Sequence, residues 1–384
     1  MRLQWIDSLK GIGIMLVVFA HHSLPAVLDT YIFSFHMPLF FFISGFLFDF
    51  GKYVGAAEDF VKGRFRSLII PYFCFALLTC LFYFLLDAGF QPGVTNIEFF
   101  EATIPYGIYS ILYALGPLVS YNPPLWFLTC LFVTELLFYG LVRNYYGEPG
   151  KLVLWLTAAG IIGYLYSVYV PFRLPWNADV ALSAVVFYGA GNLFRRLTEP
   201  ETSPTSGLNP GSGLTTGSNP ELRKRIARAG KFFPGIFILL NLLYLAYLLE
   251  FPVSEKVNMN VLKYGSFFSY YFFAFSGTLA FVYLFKKAGG SKILEYYGRN
   301  SLIVLALHFP VKDILTKLAI LSLGVELEYF YYNAAFALTL TVLNLLFLIP
   351  AIFIINNYFP FILGKKRHSG EYKSFRAHLR KPVN

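Results

Sequence analysis

The chain has 384 residues, of which 57% are hydrophobic and only 14% are charged, whereas soluble proteins contain about 25% charged residues. The hydrophobic residues are spread along the whole length, which excludes a soluble globular protein and predicts an all-α, polytopic membrane protein. The net charge of +10 could indicate a nucleic-acid partner, but the distribution of the cations accounts for it without one.

Ten apolar segments approach the roughly 20 residues that a helix needs to cross a bilayer. They cover residues 8–26, 31–50, 67–87, 123–142, 152–170, 179–194, 232–250, 264–285, 301–320 and 331–355. Cytoplasmic loops are rich in Lys and Arg, and a cytoplasmic N-terminus places 26 of the 31 such residues inside. About ten transmembrane helices with both termini cytoplasmic are therefore predicted. Five cations remain outside: Arg173, Lys256, Lys263, Lys312 and Lys317.

The first two segments carry histidine where a membrane helix normally avoids ionisable side chains. They read IDSLKGIGIMLVVFAHH (6–22) and YIFSFHMPLFFFISGFLF (31–48). In a hairpin with its apex near residues 28–29, His21 and His36 both lie about 11 Å from the apex and can face each other, whereas His22 points about 100° away. Imidazole exchanges a proton near neutral pH, so His21 and His36 are predicted to be catalytic. The alternative is a location of His21 and His22 in the headgroup layer, without a role.

These segments contain D-x-L-K-G-I-x-I-x-L-V-V-x-x-H and S-F-H-M-P-L-F-F-F-I-S-G-F-L. They resemble the start of the integral-membrane acyltransferase-3 family, and most closely its fucose 4-O-acetylase-type branch. Asp7, Lys10 and His21 fall on the first motif of the family, and residues 34–47 fall on the second. Members often have arginine at the position of Lys10, so this chain keeps the cation but loses the bidentate fork.

The resemblance covers roughly residues 1–355 and implies an O-acyltransferase domain, 1–358, followed by a basic cytoplasmic tail, 359–384. It implies acetyl-CoA as the donor substrate, with no permanently bound cofactor. The implied acceptor is a sugar hydroxyl of a cell-envelope polysaccharide or of its precursor, in a bacterial inner or plasma membrane. Some relatives transfer succinyl instead. The expected partners are acyl-CoA, a glycan or lipid-linked sugar, and membrane lipid, but not nucleic acid.

A basic cluster, R-F-R-S-L-I-I-P-Y at 64–72, stands where a cytoplasmic loop enters the third span. Two guanidinium groups at a helix start suit phosphate, and the family carries a similar cluster before Pro-Tyr. We therefore predict that Arg64, Arg66 and Lys10 bind the donor. The alternative is that the arginines only anchor the helix on the cytoplasmic side.

Other residues are candidates to line the site. Trp126 opens the fourth span in N-P-P-L-W-F-L and also suits a membrane interface. Glu135 lies about three turns further in and must be paired or protonated there. The motif G-R-N-S-L-I-V-L-A-L-H-F-P, at 298–310, resembles a late family element and adds His308 and Asn300. Asn300 or Ser301 can cap the helix that follows. Two further candidates come from the first two motifs: Asp7 and Ser44.

Two loops stand out between the spans. The apolar middle of 87–121, predicted outside, is broken by proline and glycine, which indicates a re-entrant or interfacial piece or an ordinary surface hairpin. The segment at about 199–220 is rich in Ser, Thr, Gly, Pro and Asn and is predicted to be a disordered cytoplasmic loop. No metal-type His/Cys cluster, P-loop or nucleophile elbow is present, so a direct transfer without an acyl-enzyme is expected.

Two functions from different classes fit these observations. In the first, the donor phosphates stay at the cytoplasmic rim while His21 or His36 removes the proton of the acceptor hydroxyl, and the other histidine or an amide stabilises the oxyanion. Any carboxylate that orients His21 must come from another span, because Asp7 lies roughly 21 Å away along the helix. The second is a transporter or flippase for a lipid-linked saccharide, which predicts repeats that the sequence does not show. Consumption of acyl-CoA distinguishes the two.

Overall fold

The computed structural model describes residues 3–89, 104–115, 122–199, 233–251, 256–324 and 333–365. This part of the chain is helical and has no strand beyond one isolated bridge, as the sequence predicts. Its α-helices are α1 Gln4–Ala20, α2 Ala26–Leu47, α3 Ala57–Arg64, α4 Ile70–Gly89, α5 Ile104–Tyr113, α6 Trp126–Tyr145, α7 Pro149–Tyr169, α8 Ala178–Thr198, α9 Phe233–Glu250, α10 Phe267–Ala288, α11 Lys292–Arg299, α12 Ser301–Leu323 and α13 Ala334–Tyr358.

Each of the ten predicted spans coincides with one of these helices, although the boundaries shift by a few residues. Six helices among the described residues are long and apolar enough to cross a membrane by length and composition, so the chain is a multi-pass membrane protein. They are Ala26–Leu47, Ala57–Leu85, Pro123–Tyr145, Pro149–Tyr169, Phe267–Ala288 and Ala334–Tyr358. The number ten and the orientation stay predictions. The predicted loop at 199–220 and the tail lie outside the described residues, except for their first residues.

Helix α2 lies inside the bundle and packs against α1, α8 and α10. Around α2, helix α8 packs on α6 and α7, α9 packs on α10, and α12 packs on α13. Helix α3 continues through a π-helical turn, Phe65–Ile69, into α4. Apolar side chains fill the interior, and ring contacts between phenylalanines and tyrosines run through it.

The turn between α1 and α2 differs from the predicted hairpin. Helix α1 ends at Ala20 and α2 begins at Ala26, so the chain reverses at residues 21–25 and not near 28–29. Ser23 adopts a left-handed backbone, with φ of 30°, and Pro25 precedes the first turn of α2. His21 therefore lies directly after α1, and the predicted depth of about 11 Å does not hold for it.

The short helix α11 lies against α1, and this is the closest helix approach around the amino-terminal motif. A Cβ atom on Gly298 would overlap the backbone oxygen of Asp7, and one on Gly11 would overlap the backbone oxygen of Leu294. Both positions need glycine because the two backbones touch there. This contact brings the Asp7 end of the first motif to the start of the late motif.

We expect Gly298→Ala to destabilise the protein by about 1–3 kcal/mol, the usual cost of overpacking a filled interior. Gly140→Ala is the matched control, because a Cβ at Gly140 of α6 meets no atom within 4 Å and alanine favours the helix. Thermal unfolding of the detergent-solubilised protein measures both. Equal unfolding temperatures for the two variants would contradict the close approach.

Candidate functional site

Two histidines meet where α1 turns into α2. The ring of His21 lies edge-to-face against that of His308, with centroids 5.1 Å apart, and 5.3 Å from Phe309. His308 lies two turns inside α12 and is fully buried. The late motif and the first motif therefore come together in space, although almost 290 residues separate them.

The ring of Phe33 contacts the imidazoles of both His36 and His21. The ring of Phe33 lies 4.9 Å from His36 and 6.5 Å from His21. Among the described residues, the imidazole in ring contact with His21 is that of His308, whereas His36 contacts Phe33. That His21 and His36 line one cavity stays a prediction. We call these five side chains, His21, His36, His308, Phe33 and Phe309, the histidine cluster.

The three imidazoles of the cluster share one hydrogen-bonding pattern. His21 Nδ1 lies 2.7 Å from the Val17 carbonyl oxygen, and His36 Nδ1 lies 2.7 Å from that of Ile32. His308 Nδ1 is equally placed, 3.0 and 2.9 Å from two carbonyl oxygens of its own helix. A carbonyl only accepts, so Nδ1 carries the proton and Nε2 presents its lone pair. His21 Nδ1 is thus engaged by a backbone carbonyl one turn earlier, and no carboxylate among the described residues hydrogen-bonds to this imidazole.

Proline in α12 helps to position His308. Pro310 has no N–H, so the carbonyl of Ala306 loses its usual helical donor. Asn122 replaces it by donating from Nδ2 to the Ala306 oxygen at 2.8 Å. Asn344 of α13 donates to the His308 carbonyl at 2.9 Å. Two buried amides therefore fix the backbone on either side of the imidazole.

Two cations flank the histidine cluster. Lys256 Nζ lies 3.7 Å above the centre of the Phe33 ring and 2.6 Å from the Asp29 carboxylate. Lys312 Nζ lies 4.1 Å above the centre of the Phe309 ring. Both lysines belong to the five cations predicted outside, so their proximity is consistent with the predicted topology.

At the other end of the bundle, Arg64 and Glu135 form a buried ion pair. Arg64 Nε lies 3.2 Å from Glu135 Oε2, and the Glu135 side chain is 4% exposed. Tyr188 donates from its hydroxyl to Glu135 Oε1 at 3.3 Å. The Arg64 guanidinium also packs over the rings of Tyr53 and Phe60. The expectation that Glu135 must be paired is met, and its cation is the predicted donor-binding Arg64.

Asp7 forms a second ion pair near the same end. Arg299 Nε lies 3.3 Å from Asp7 Oδ2, and Arg299 Nη2 lies 2.5 Å from Glu295 Oε2. Asp7 is buried, whereas the Arg299 side chain is 45% exposed. Lys10 follows one turn after Asp7 and is half-buried. Asp7 therefore links α1 to α11 through its ion pair with Arg299, and it lies away from the histidine cluster.

The remaining candidates are scattered. Ser44 bonds to the Phe40 carbonyl of its own helix, and Trp126 is buried at the start of α6. Asn300 precedes α12 but does not cap it with its side chain, a correction to the sequence prediction. Its Oδ1 instead accepts from Asn356 at 2.8 Å. Arg66 is exposed in the π-helical turn. The geometry brings none of these into contact with the histidine cluster.

The sequence prediction missed several residues of this site. Phe33 and Phe309 were not singled out among the 43 phenylalanines of the chain. Lys312 did carry a signal, because it follows His308 by four positions and therefore shares its helix face. Asn344, by contrast, is one polar residue in an apolar segment with no motif around it. Within the described ranges, no group of His, Cys, Asp or Glu has the geometry of a metal site.

The all-helical, multi-pass bundle defines an integral-membrane protein, and histidines lie inside this bundle. The family model Acyl_transf_3, described as an acyltransferase domain, matches residues 3–363. The chain therefore belongs to this acyltransferase family, as the motif resemblance predicts. No curated protein and no solved structure matches the chain in the corresponding comparisons.

Proposed function

We propose that the protein is an O-acetyltransferase that moves an acetyl group from acetyl-CoA to a sugar hydroxyl of a cell-envelope polysaccharide or its precursor. The observation that carries this proposal is the set of three imidazoles whose Nδ1 protons face backbone carbonyls. Each presents Nε2 as a base. The acyltransferase family supports acyl transfer, and the acetyl donor and sugar acceptor extend what the motif resemblance implies.

In the proposed reaction His21 is the general base. Its Nε2 takes the proton of the sugar hydroxyl while the hydroxyl oxygen bonds to the thioester carbon. The tetrahedral intermediate collapses, the carbon–sulfur bond breaks, and the sulfur of CoA leaves with the electron pair. The imidazolium then returns the proton to the thiolate, so His21 ends unchanged. His21 suits this role because it is only partly buried, in the turn after α1, whereas His308 and His36 are deeply buried.

The neighbouring imidazoles then act on the acceptor. A neutral His308 or His36 whose Nδ1 proton is engaged offers only a lone pair at Nε2, so it can accept from sugar hydroxyls but cannot donate to an oxyanion. His308 Nε2 is buried without a hydrogen-bond partner in the described part of the chain. We therefore propose that His36 and His308 orient the sugar. This differs from the expected oxyanion role, which would require an imidazolium.

The donor phosphates are proposed to bind at the opposite end of the bundle, near Lys10 and Arg66. Eleven residues separate Lys10 from His21, or about 16 Å along α1, so the pantetheine arm would run beside this helix. The ion pair with Glu135 engages one edge of Arg64. Because Arg64 supports the interior as well, Arg66 gives the cleaner test of donor binding.

We expect Arg66→Ala to weaken acetyl-CoA binding by roughly tenfold or more, since a hydrogen bond to a charged group contributes about 1.5–3 kcal/mol. Its side chain is exposed, so folding should be unaffected. Arg143→Ala, which removes another exposed arginine near the end of α6, is the matched control. Titration of purified protein with acetyl-CoA measures both. Unchanged affinity in Arg66→Ala would move the donor phosphates elsewhere.

The proposed function is tested with purified protein in lipid nanodiscs, labelled acetyl-CoA and a panel of candidate glycans. The expected result is label in a base-labile ester on the glycan and stoichiometric release of CoA. Succinyl-CoA in a parallel reaction distinguishes the acyl group. Movement of a lipid-linked saccharide across the membrane without consumption of acyl-CoA would support the transporter instead.

A further inference from the structure

The outward side of the histidine cluster carries two cations for which the proposed acyl transfer has no use. Lys256 Nζ lies 3.7 Å over Phe33 and Lys312 Nζ lies 4.1 Å over Phe309. Each ring packs against the His21 imidazole. Each of the two positive charges thus lies beside one phenylalanine of the histidine cluster.

The charge of Lys312 is the less compensated of the two. Lys256 lies 2.6 Å from Asp29, whereas Lys312 is 3.6 Å from Asp313, beyond hydrogen-bonding distance. The other oxygen of Asp313 accepts from the Tyr83 hydroxyl at 2.6 Å. Within the described residues, Lys312 Nζ therefore makes no hydrogen bond, although an ammonium group has three donors. Its side chain is only 22% exposed, so water compensates this charge incompletely.

An unpaired acceptor lies near the same ammonium. His308 Nε2 is buried and has no hydrogen-bond partner among the described residues, and Lys312 is close enough to act on it electrostatically. A lysine that merely extends to the membrane surface would not explain this unpaired nitrogen. A ligand with a hydroxyl donor and one anionic group would satisfy the imidazole and the ammonium together.

We propose that the acceptor of the acyl group is anionic, and that Lys312 binds its carboxylate or phosphate beside the reacting hydroxyl. This inference rests on the proposed acyl transfer and adds the chemical class of the acceptor. A neutral sugar offers hydroxyl oxygens to the ammonium but no negative charge, so this partly buried charge would stay incompletely compensated. The anion can belong to the sugar, as in a uronic acid, or to the diphosphate of a lipid carrier, and both offer the same chemistry to Lys312.

The test compares three acceptors with full-length protein in nanodiscs and acetyl-CoA. They are a disaccharide with a uronic acid, its methyl ester, and the ester joined through a diphosphate to a short prenyl chain. We expect kcat/KM for an anionic acceptor to exceed that of the ester about 10–100-fold, the range for a hydrogen bond to a charged group. The ratio should fall towards one in Lys312→Gln and persist in Lys312→Arg. It should also persist in Lys317→Gln, the control on the same helix.

Each outcome decides the proposal. A preference for the diphosphate alone assigns the anion to the carrier, and a preference for the uronic acid assigns it to the sugar. Equal use of the ester by the unmodified protein overturns the proposal. So does a Lys312→Gln variant that slows all acceptors by the same factor, which is how an oxyanion stabiliser would behave. If Lys312→Gln does not fold, Lys312→Met, which keeps the length of the side chain but removes the charge, replaces it in the same comparison. Absence of transfer to every glycan of the wider panel contradicts the proposed function and removes this inference with it.

Discussion

His21→Ala is expected to lower acetyl transfer by about 10²–10⁴-fold, because it removes the proposed general base. Acetyl-CoA binding should change little, since the donor phosphates are placed at the other end of α1. The loss should therefore appear in kcat, with the dissociation constant of acetyl-CoA near its original value. Rapid-quench assays with labelled donor, together with equilibrium titration, separate the two quantities.

The matched control is His22→Ala, the adjacent histidine of the same turn. His22 is buried near Lys312 and His308 but makes no ring contact with His21. The variant His22→Ala should therefore reduce transfer much less than His21→Ala does. If His21→Ala turns over at a near-normal rate, His36 or His308 becomes the base. If it loses donor affinity in proportion to rate, the assignment of the donor end is wrong.

Glu135→Ala is expected to destabilise the fold by about 3–5 kcal/mol, because it leaves a buried guanidinium without its counter-charge. Arg64 Nε lies 3.2 Å from Glu135, and the Arg64 side chain is only 27% exposed. The Tyr188 hydroxyl also loses its acceptor. The temperature at which half of the detergent-solubilised protein remains monodisperse should fall clearly. Arg64→Ala should show a loss of similar size, in addition to any effect on the donor.

Two further variants make this expectation specific. Lys62→Ala breaks the exposed pair with Glu58, whose side chains are 71% and 78% exposed, and such pairs contribute only about 0–1 kcal/mol. The double variant Arg64→Met, Glu135→Leu replaces both charges by apolar groups, which is often neutral for stability. If Glu135→Ala costs no more than Lys62→Ala, the pair does not support the interior. If the double variant is stable but binds acetyl-CoA weakly, Arg64 also contacts the donor.

The sequence predicted the helical fold well because apolar length is a strong signal in a membrane protein. Each predicted span coincides with a helix. The end of α1 was placed too late, because the apolar run continues past Ala20 while the chain already turns. That turn depends on the backbone of Ser23 and Pro25, which hydropathy does not record.

The site was predicted in part. His21, His36 and His308 stand out because imidazole is rare inside membrane helices, and the structure gathers them around Phe33 and Phe309. The ring contact of His21 with His308 was not predicted, since partners on different helices depend on tertiary packing. The same limit applies to the Arg64–Glu135 pair, whose members are 71 positions apart in sequence. Arg64 and Glu135 were each recognisable as candidates from the sequence, but nothing in the sequence indicated that they pair with each other.

The carbonyl-bound imidazoles have a consequence for how new specificities could arise in this fold. Val17, Ile32 and Val304 hold the three Nδ1 atoms through main-chain oxygens one turn earlier, and any side chain at those positions supplies the same oxygen. The orientation of each imidazole is thus independent of the side chains that would surround an acceptor. If the proposed acyl transfer holds, substitution of those surrounding residues changes which acceptor is modified and leaves the orientation of the proposed base intact.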